Sequence, residues 1–234
     1  MYKFKALLTD LDGTLVDSEP LHCQAWLNVL SNYDLHYDFN WFEQWVGTSD
    51  RLLAEAVIRE HRLNKRVQEL QREKEVAFHA AILRQGQVFK GVEAELKKIR
   101  RVLPIAIVTN SSRKDAEFAF RATRVDQYAD LSVTATDVQL MKPAPEPYFK
   151  AAKALSVESK NCIAIEDSPA GSYSAMSAGC YVIGIHHGNL EKELYAEEVV
   201  ARPVDAFRRV LGLIGKSTKS TKFIMPSFVL RSKD

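Results

Sequence analysis

Cysteine is scarce in this 234-residue chain: Cys23, Cys162 and Cys180 lie far apart, with no CxxC pair. An odd, scattered set excludes a disulfide framework and fits reduced, buried thiols in a cytoplasmic protein. Histidine and cysteine are nowhere grouped as a zinc set, which removes soft-metal sites. No apolar run approaches the ~20 residues needed to cross a bilayer. The start, MYKFKALLTD, has a short apolar run that Asp10 and Asp12 end without a small-residue cleavage site. It reads as a first buried strand and not as a signal peptide. No internal repeat is present, and neither charge dominates, at 32 Lys+Arg against 30 Asp+Glu and a net +2. Removing residues 215–234, with five basic residues against Asp234, takes the formal charge to −2. The basicity therefore belongs to a tail, and the body gives no reason to expect a nucleic-acid partner. That tail combines the polar KSTKSTK with the apolar FIMPSFVL, whose docking place the sequence does not reveal.

What is present is ordinary for a globular chain, 46% hydrophobic and 26% charged. The length allows one large α/β domain or a core with a smaller accessory domain. The informative stretch is LLTDLDGTLVDSEPLH, Leu7 to His22. In an extended strand residues i and i+2 point to the same side. Asp10 and Asp12 therefore leave the strand end together, where Gly13 breaks the chain. Two adjacent carboxylates repel unless they share a cation or a proton. Alone, such a pair is more often two solvated loop aspartates.

After strand Ala6–Thr9, Asp17-Ser18-Glu19-Pro20 carries the signals of a helix start. From there to about Arg84 the periodicity is helical. One stripe is Leu21, Ala25, Trp26, Val29 and Leu30. Others are Leu52, Leu53, Ala56 and Val57, and then Val67, Leu70, Val76, Ala77, Ala80 and Ala81. A strandless block inserted after the first strand predicts a separate helical subdomain over 18–86, ending near Gly86 to Gly91. The rest alternates. Helices are expected at Val92–Arg101, Asp115–Thr123, Pro147–Leu155, Ser168–Gly179 and Val204–Leu213. Strands are expected at Pro104–Thr109, Leu131–Ala135, Cys162–Ile165 and Tyr181–Ile185. Such alternation implies an α/β fold: a Rossmann-like, doubly wound parallel sheet over 1–17 and 87–214, covered on both faces. Ligands bind such sheets beyond the carboxyl ends of the strands.

Each predicted strand end offers a polar group: Asp10 and Asp12, then Thr109 and Asn110, then Glu166 and Asp167. Lys142-Pro143 opens a helix between them. Taken singly, each has a blander reading as turn, cap or exposed loop. Their joint placement favours a phosphoryl-transfer site. Asp10, Glu166 and Asp167 are hard oxygen ligands suited to Mg²⁺. Lys142, Thr109 and the Asn110 amide would hold phosphate oxygens. One aspartate would attack phosphorus and form an aspartyl phosphate, and the other would protonate the leaving oxygen and then activate water.

DLDGT at Asp10–Thr14, TN at Thr109–Asn110, Lys142 in KPAPEPY and IEDSPAG at Ile165–Gly171 resemble the four motifs of the haloacid dehalogenase superfamily. The match is to its branch of β-phosphoglucomutase and small sugar phosphatases, over about Lys5 to Leu213. The resemblance implies that Asp10 is the nucleophile and Asp12 the general acid/base. It implies Mg²⁺ on the Asp10 side chain, the Asp12 carbonyl and Asp167, with Glu166 as a further candidate. Thr9 stands where the family usually has phenylalanine. Halide-releasing members lack the second aspartate, so Asp12 argues for phosphate esters.

The helical block then resembles the family's cap, hinged at Gly13–Ser18 and near Gly86. Candidate substrate contacts are Glu19, His22, Gly47, Thr48 and Lys74. Trp26 is better read as cap core on its stripe, while His22, one turn past Ser18, is evenly balanced. Where the mutase carries Lys-Gly and then an arginine, this chain has Val46-Gly47-Thr48-Ser49-Asp50-Arg51. A displaced cation is a poor phosphate fork. The reading is hydrolysis of a small phosphorylated metabolite, a sugar phosphate above all, by a monomer. The alternatives are a phosphosugar mutase and a non-catalytic binding member of the fold.

Overall fold

The computed structural model describes residues 4–45 and 49–215. Its strands are β1 (Ala6–Thr9), β2 (Ile105–Val108), β3 (Leu131–Val133), β4 (Cys162–Glu166), β5 (Tyr181–Ile185) and β6 (Glu198–Val200). All pair in parallel in the order β3-β2-β1-β4-β5-β6. Chain order thus runs one way from β1 through β2 to β3 and the other way from β4 to β6. The carboxyl end of β1 is the switch point where such sheets open a crevice.

Strand parity divides the core. Leu7, Ile105, Ile107, Ile163 and Ile165 pack with α5 (Val92–Ile99), α6 (Arg113–Thr123) and α9 (Pro203–Gly215). Ala6, Leu8, Ala106, Val108, Cys162 and Ala164 face α7 (Glu146–Ala154) and α8 (Pro169–Ser177). Continuing that alternation sends Asp10 and Glu166 to the α7 side. This parity places the site.

Between β1 and α5 lie α1 (Glu19–Ser31), α2 (Phe39–Glu43), α3 (Asp50–His61) and α4 (Val67–Gln85), with no strand among the described residues. Trp26, Leu30, Phe42, Leu53, Val57 and Leu70 give the block its own apolar cluster. Its two connections pair briefly: Val16 bridges Val88 antiparallel, and Phe89 N–H donates to the Leu15 carbonyl at 3.0 Å. Against the sheet body, α4 packs on α6, where His79 Nε2 and Asp115 Oδ1 are 2.6 Å apart and Lys114 pairs with Glu75.

Several elements differ from expectation. β6 was not predicted, since three half-exposed residues carry too little periodicity to read. α6 starts at Arg113, two residues early, because the Ser112 hydroxyl accepts the Asp115 N–H. The third strand stops at Val133, and a 3-10 turn at Ala135–Asp137 follows, where Asp137 takes the Thr134 N–H. Leu52 and Val76, counted into apolar stripes by spacing, are exposed.

Leu7 is fully buried in the central strand. Leu7→Ala should cost about 3–5 kcal/mol. The check is denaturant unfolding, with the midpoint lowered and the m-value unchanged.

Candidate active site

Register brings the first pair of carboxylates together. Thr9 is level with Ile165, and Asp10 N–H donates to the Ile165 carbonyl at 3.0 Å, so Asp10 and Glu166 end adjacent strands side by side. Lys142 comes from the loop before α7 and spends all three ammonium hydrogens at this point. It donates to Asp10 Oδ1 (2.6 Å), Glu166 Oε1 (2.5 Å) and the Val108 carbonyl (2.8 Å). Burial disfavours the ammonium, but Asp10 and Glu166 outweigh it and hold Lys142 above the ordinary lysine range. Tyr148 donates its hydroxyl to Glu166 Oε1 at 2.5 Å, and Ser168 donates to Oε2.

Asp10, Glu166 and Asp167 each offer an oxygen within 4.8 Å of the others. Burial drives the Asp10 carboxyl well above the usual range; Lys142 opposes this, while Glu166, Asp167 and Asp12 add to the rise. Asp167 is raised too, by burial first and by Glu166, with Lys192 and His187 opposing. An all-oxygen set whose members repel one another gains by admitting a hard cation. Gly13 makes room for the Asp167 carboxylate. Its φ is +70°, and a Cβ there would stand 2.5 Å from Asp167 Oδ2.

Asp12 faces elsewhere. Its Oδ1 accepts from the Ser18 hydroxyl and its Oδ2 from the Ser111 hydroxyl, both at 2.7 Å. The helix start expected over 17–20 is found, with Ser18 at the N-cap, but the Ser18 side chain makes no cap bond and serves Asp12. Thr109 is buried, with its Oγ1 accepting the Ser111 N–H at 2.9 Å. The Asn110 side chain clamps the Lys142 backbone, donating to its carbonyl and accepting its N–H, each at 3.0 Å.

In the helical block, Lys74 is buried and donates to Asp50 Oδ2 and His22 Nδ1, both at 2.6 Å. Trp26 Nε1 donates to Asp50 Oδ1 at 2.8 Å, so Trp26 is core, with its one polar atom satisfied. Burial, with Lys74 adding, pushes His22 down to about 4, and its ring stacks on Phe78. Burial raises Glu19 to about 6, with Asp167 and Asp12 adding and Lys74 and Lys192 opposing. Gly47 and Thr48 lie outside the described residues.

Five partners escaped the sequence reading. Ser18 and Ser111 hold Asp12, Tyr148 holds Glu166, and His187 and Lys192 lie 3.8 and 3.4 Å from Asp167. Ser111 and Tyr148 had a signal, being inside the TNSS and KPAPEPY stretches. His187 and Lys192 follow β5 with no motif around them.

Carboxylates and an ammonium are thus gathered at the switch point of a parallel sheet, where enzymes of the α/β class bind their ligands. The family model described as haloacid dehalogenase-like hydrolase matches residues 7–185, and this chain belongs to that family. A fructose-1-phosphate phosphatase of Escherichia coli is 29% identical over 78% of this chain and 97% of its own length. A validoxylamine A 7'-phosphate phosphatase of Streptomyces hygroscopicus is 32% identical over 78% and 85%. A β-phosphoglucomutase of Bacillus subtilis is 27% identical over 86% and 91%. Among solved structures, a haloacid dehalogenase family hydrolase from Deinococcus radiodurans with bound phosphate and sodium shares the fold. It has a TM-score of 0.72 and 24% identity, over 92% of this chain and 99% of that one.

Gly171 opens the approach of α8 to the site, because a Cβ there would stand 2.0 Å from Glu166 Oε2. Gly171→Ala should therefore lower stability by about 1–3 kcal/mol despite the better helix former. Thermal unfolding measures this, and a variant as stable as the parent would contradict the close packing.

Proposed function

We propose that this protein is a Mg²⁺-dependent phosphatase that hydrolyses a small sugar phosphate through an aspartyl-phosphate intermediate. The observation that carries the reading is the separation of Asp12 from Asp10. Asp10 belongs to the metal-suited cluster, whereas two hydroxyls hold Asp12 apart from it. Family membership and the phosphatase names among the relatives support it.

In this reading Asp10 attacks phosphorus. Lys142 fixes Oδ1, which leaves the other carboxylate oxygen free to form the new bond. Asp12 gives its proton to the departing sugar oxygen, then takes one from the water that hydrolyses the acyl phosphate. Ser18 and Ser111 orient that carboxyl. The Thr109 hydroxyl and the Asn110 amide face the phosphate oxygens, and Lys142 lowers the negative charge that gathers there. Mg²⁺ would be held by Asp10, Asp167 and the Asp12 carbonyl. Glu166, in the same cluster, is committed first to Lys142 and Tyr148. The metal supplies charge neutralisation on the phosphoryl group. The helical block acts as a cap over 18–86 that keeps bulk water from the acyl phosphate.

The test is phosphate release with Mg²⁺ from a panel of hexose and pentose monophosphates, with Asp10→Asn as the blank. The panel includes β-glucose 1-phosphate with a trace of bisphosphate. Glucose 6-phosphate in place of free phosphate would overturn hydrolysis in favour of the mutase reading. No turnover of any ester would favour a binding protein. Asp12→Asn should slow alkyl phosphates by about 10²-fold or more and para-nitrophenyl phosphate far less. Equal losses on both would contradict a proton-donor role.

A further inference from the structure

Lys74 is the one buried cation of the helical block among the described residues, and it is already spoken for. Its ammonium is 2.6 Å from Asp50 Oδ2 and 2.6 Å from His22 Nδ1. Asp50 is half-exposed, but the Trp26 indole N–H holds its second oxygen, so the partner of the buried Lys74 is fixed from two sides. Arg51, next in sequence, is exposed and paired with Glu55 along α3. Residues 46–48, Val-Gly-Thr, carry no charge. On the sheet side, Lys192 is engaged with Asp167 and Lys142 with Asp10 and Glu166. Glu19, another carboxylate, opens α1 next to Ser18, which donates to Asp12, and His22, one turn further on, meets Lys74.

We propose that the block selects phosphate esters whose leaving group carries no second negative charge, because Asp50 has neutralised Lys74, its one buried cation. This rests on the phosphatase reading and narrows its substrate class to uncharged sugars and polyols. A carboxylate or second phosphate on the leaving group meets a neutral ion pair and Glu19, and the buried lysines among the described residues, Lys74 and Lys142, are already paired and do not repay its desolvation. Sugar hydroxyls lose nothing there, since the Asp50 and Glu19 oxygens accept hydrogen bonds from them.

The experiment measures kcat/KM of the full chain with Mg²⁺ on uncharged hexose monophosphates, 6-phosphogluconate, phosphoglycolate and fructose 1,6-bisphosphate. Para-nitrophenyl phosphate serves as the reference for the chemistry. The uncharged hexose esters should exceed the doubly anionic ones by about tenfold or more. Asp50→Asn, which keeps the shape and the acceptor for Trp26 while freeing the Lys74 charge, should shrink that ratio by about fivefold, through lower KM for the anionic esters. If para-nitrophenyl phosphate turns over and 6-phosphogluconate or phosphoglycolate equals the hexose esters, the selection is overturned and the phosphatase reading stands. If no ester turns over, the phosphatase reading itself falls. An Asp50→Asn protein that folds, as judged by circular dichroism, with an unchanged ratio would remove Asp50 from the account. Should that variant not fold, the wild-type ratios decide alone.

Discussion

The Lys142 ammonium is the interaction on which the site depends. It joins the ends of three adjacent strands at once, through the Val108 carbonyl on β2, Asp10 after β1 and Glu166 on β4. Burying a charge costs several kcal/mol, and only a full set of partners offsets it. Here every ammonium hydrogen has an acceptor, and Glu166, fully buried, has donors on both oxygens. The arrangement is fixed from outside by Asn110, whose side chain holds the Lys142 backbone from both directions. The residue read as a phosphate binder is therefore, through its side chain, a clamp on the lysine loop, and its own amide is the part left for phosphate.

Strand parity makes this clamp possible. β1, β2 and β4 put three alanines, Ala6, Ala106 and Ala164, on the α7 side beside Leu8, Val108 and Cys162, whereas Leu7, Ile105, Ile107, Ile163 and Ile165 fill the other. The small side chains let Tyr148 approach close enough to reach Glu166 from beneath the sheet. A one-residue slip of β4 would turn Glu166 toward the α5 and α9 face and leave Lys142 facing one carboxylate. The apolar alternation of the strands and the chemistry of their ends are thus a single constraint. Gly13 and Gly171 belong to it, since a side chain at either would intrude on Asp167 or Glu166.

The fold was legible because its signals are local. Buried runs such as IAIV and CIAIE, capped helices and polar strand ends all sit within short windows of sequence. The polar residues gathered at the strand ends were legible for the same reason. β6 was not, because a short edge strand is defined by its neighbour β5 more than by its own residues. Ser18 occupies the N-cap position that the local signals announce, but its side chain has another use. Serine before Glu-Pro is a cap by propensity, but Asp12, six residues back, offers a charged acceptor that outcompetes a backbone amide. His22 shows the limit most clearly. Its place one turn past Ser18 was readable, but its lowered pKa comes from burial first and then from Lys74, fifty-two residues away.

Asp12 ties the two parts of the molecule together. One of its hydroxyl donors, Ser111, belongs to the sheet body, and the other, Ser18, stands at the start of α1 in the helical block. The connections at 13–18 and 86–91 pair only through a short antiparallel contact. Any rotation of the block about them that carries Ser18 away also strips Asp12 of half its support, while Lys142 and its acceptors stay intact within the sheet. Asp10 is thus fixed by the core alone, and Asp12, the proton donor of the proposed reaction, only by core and block together. In a phosphoryl-transfer enzyme that order matters, because a donor assembled last cannot activate water before the block has covered the site.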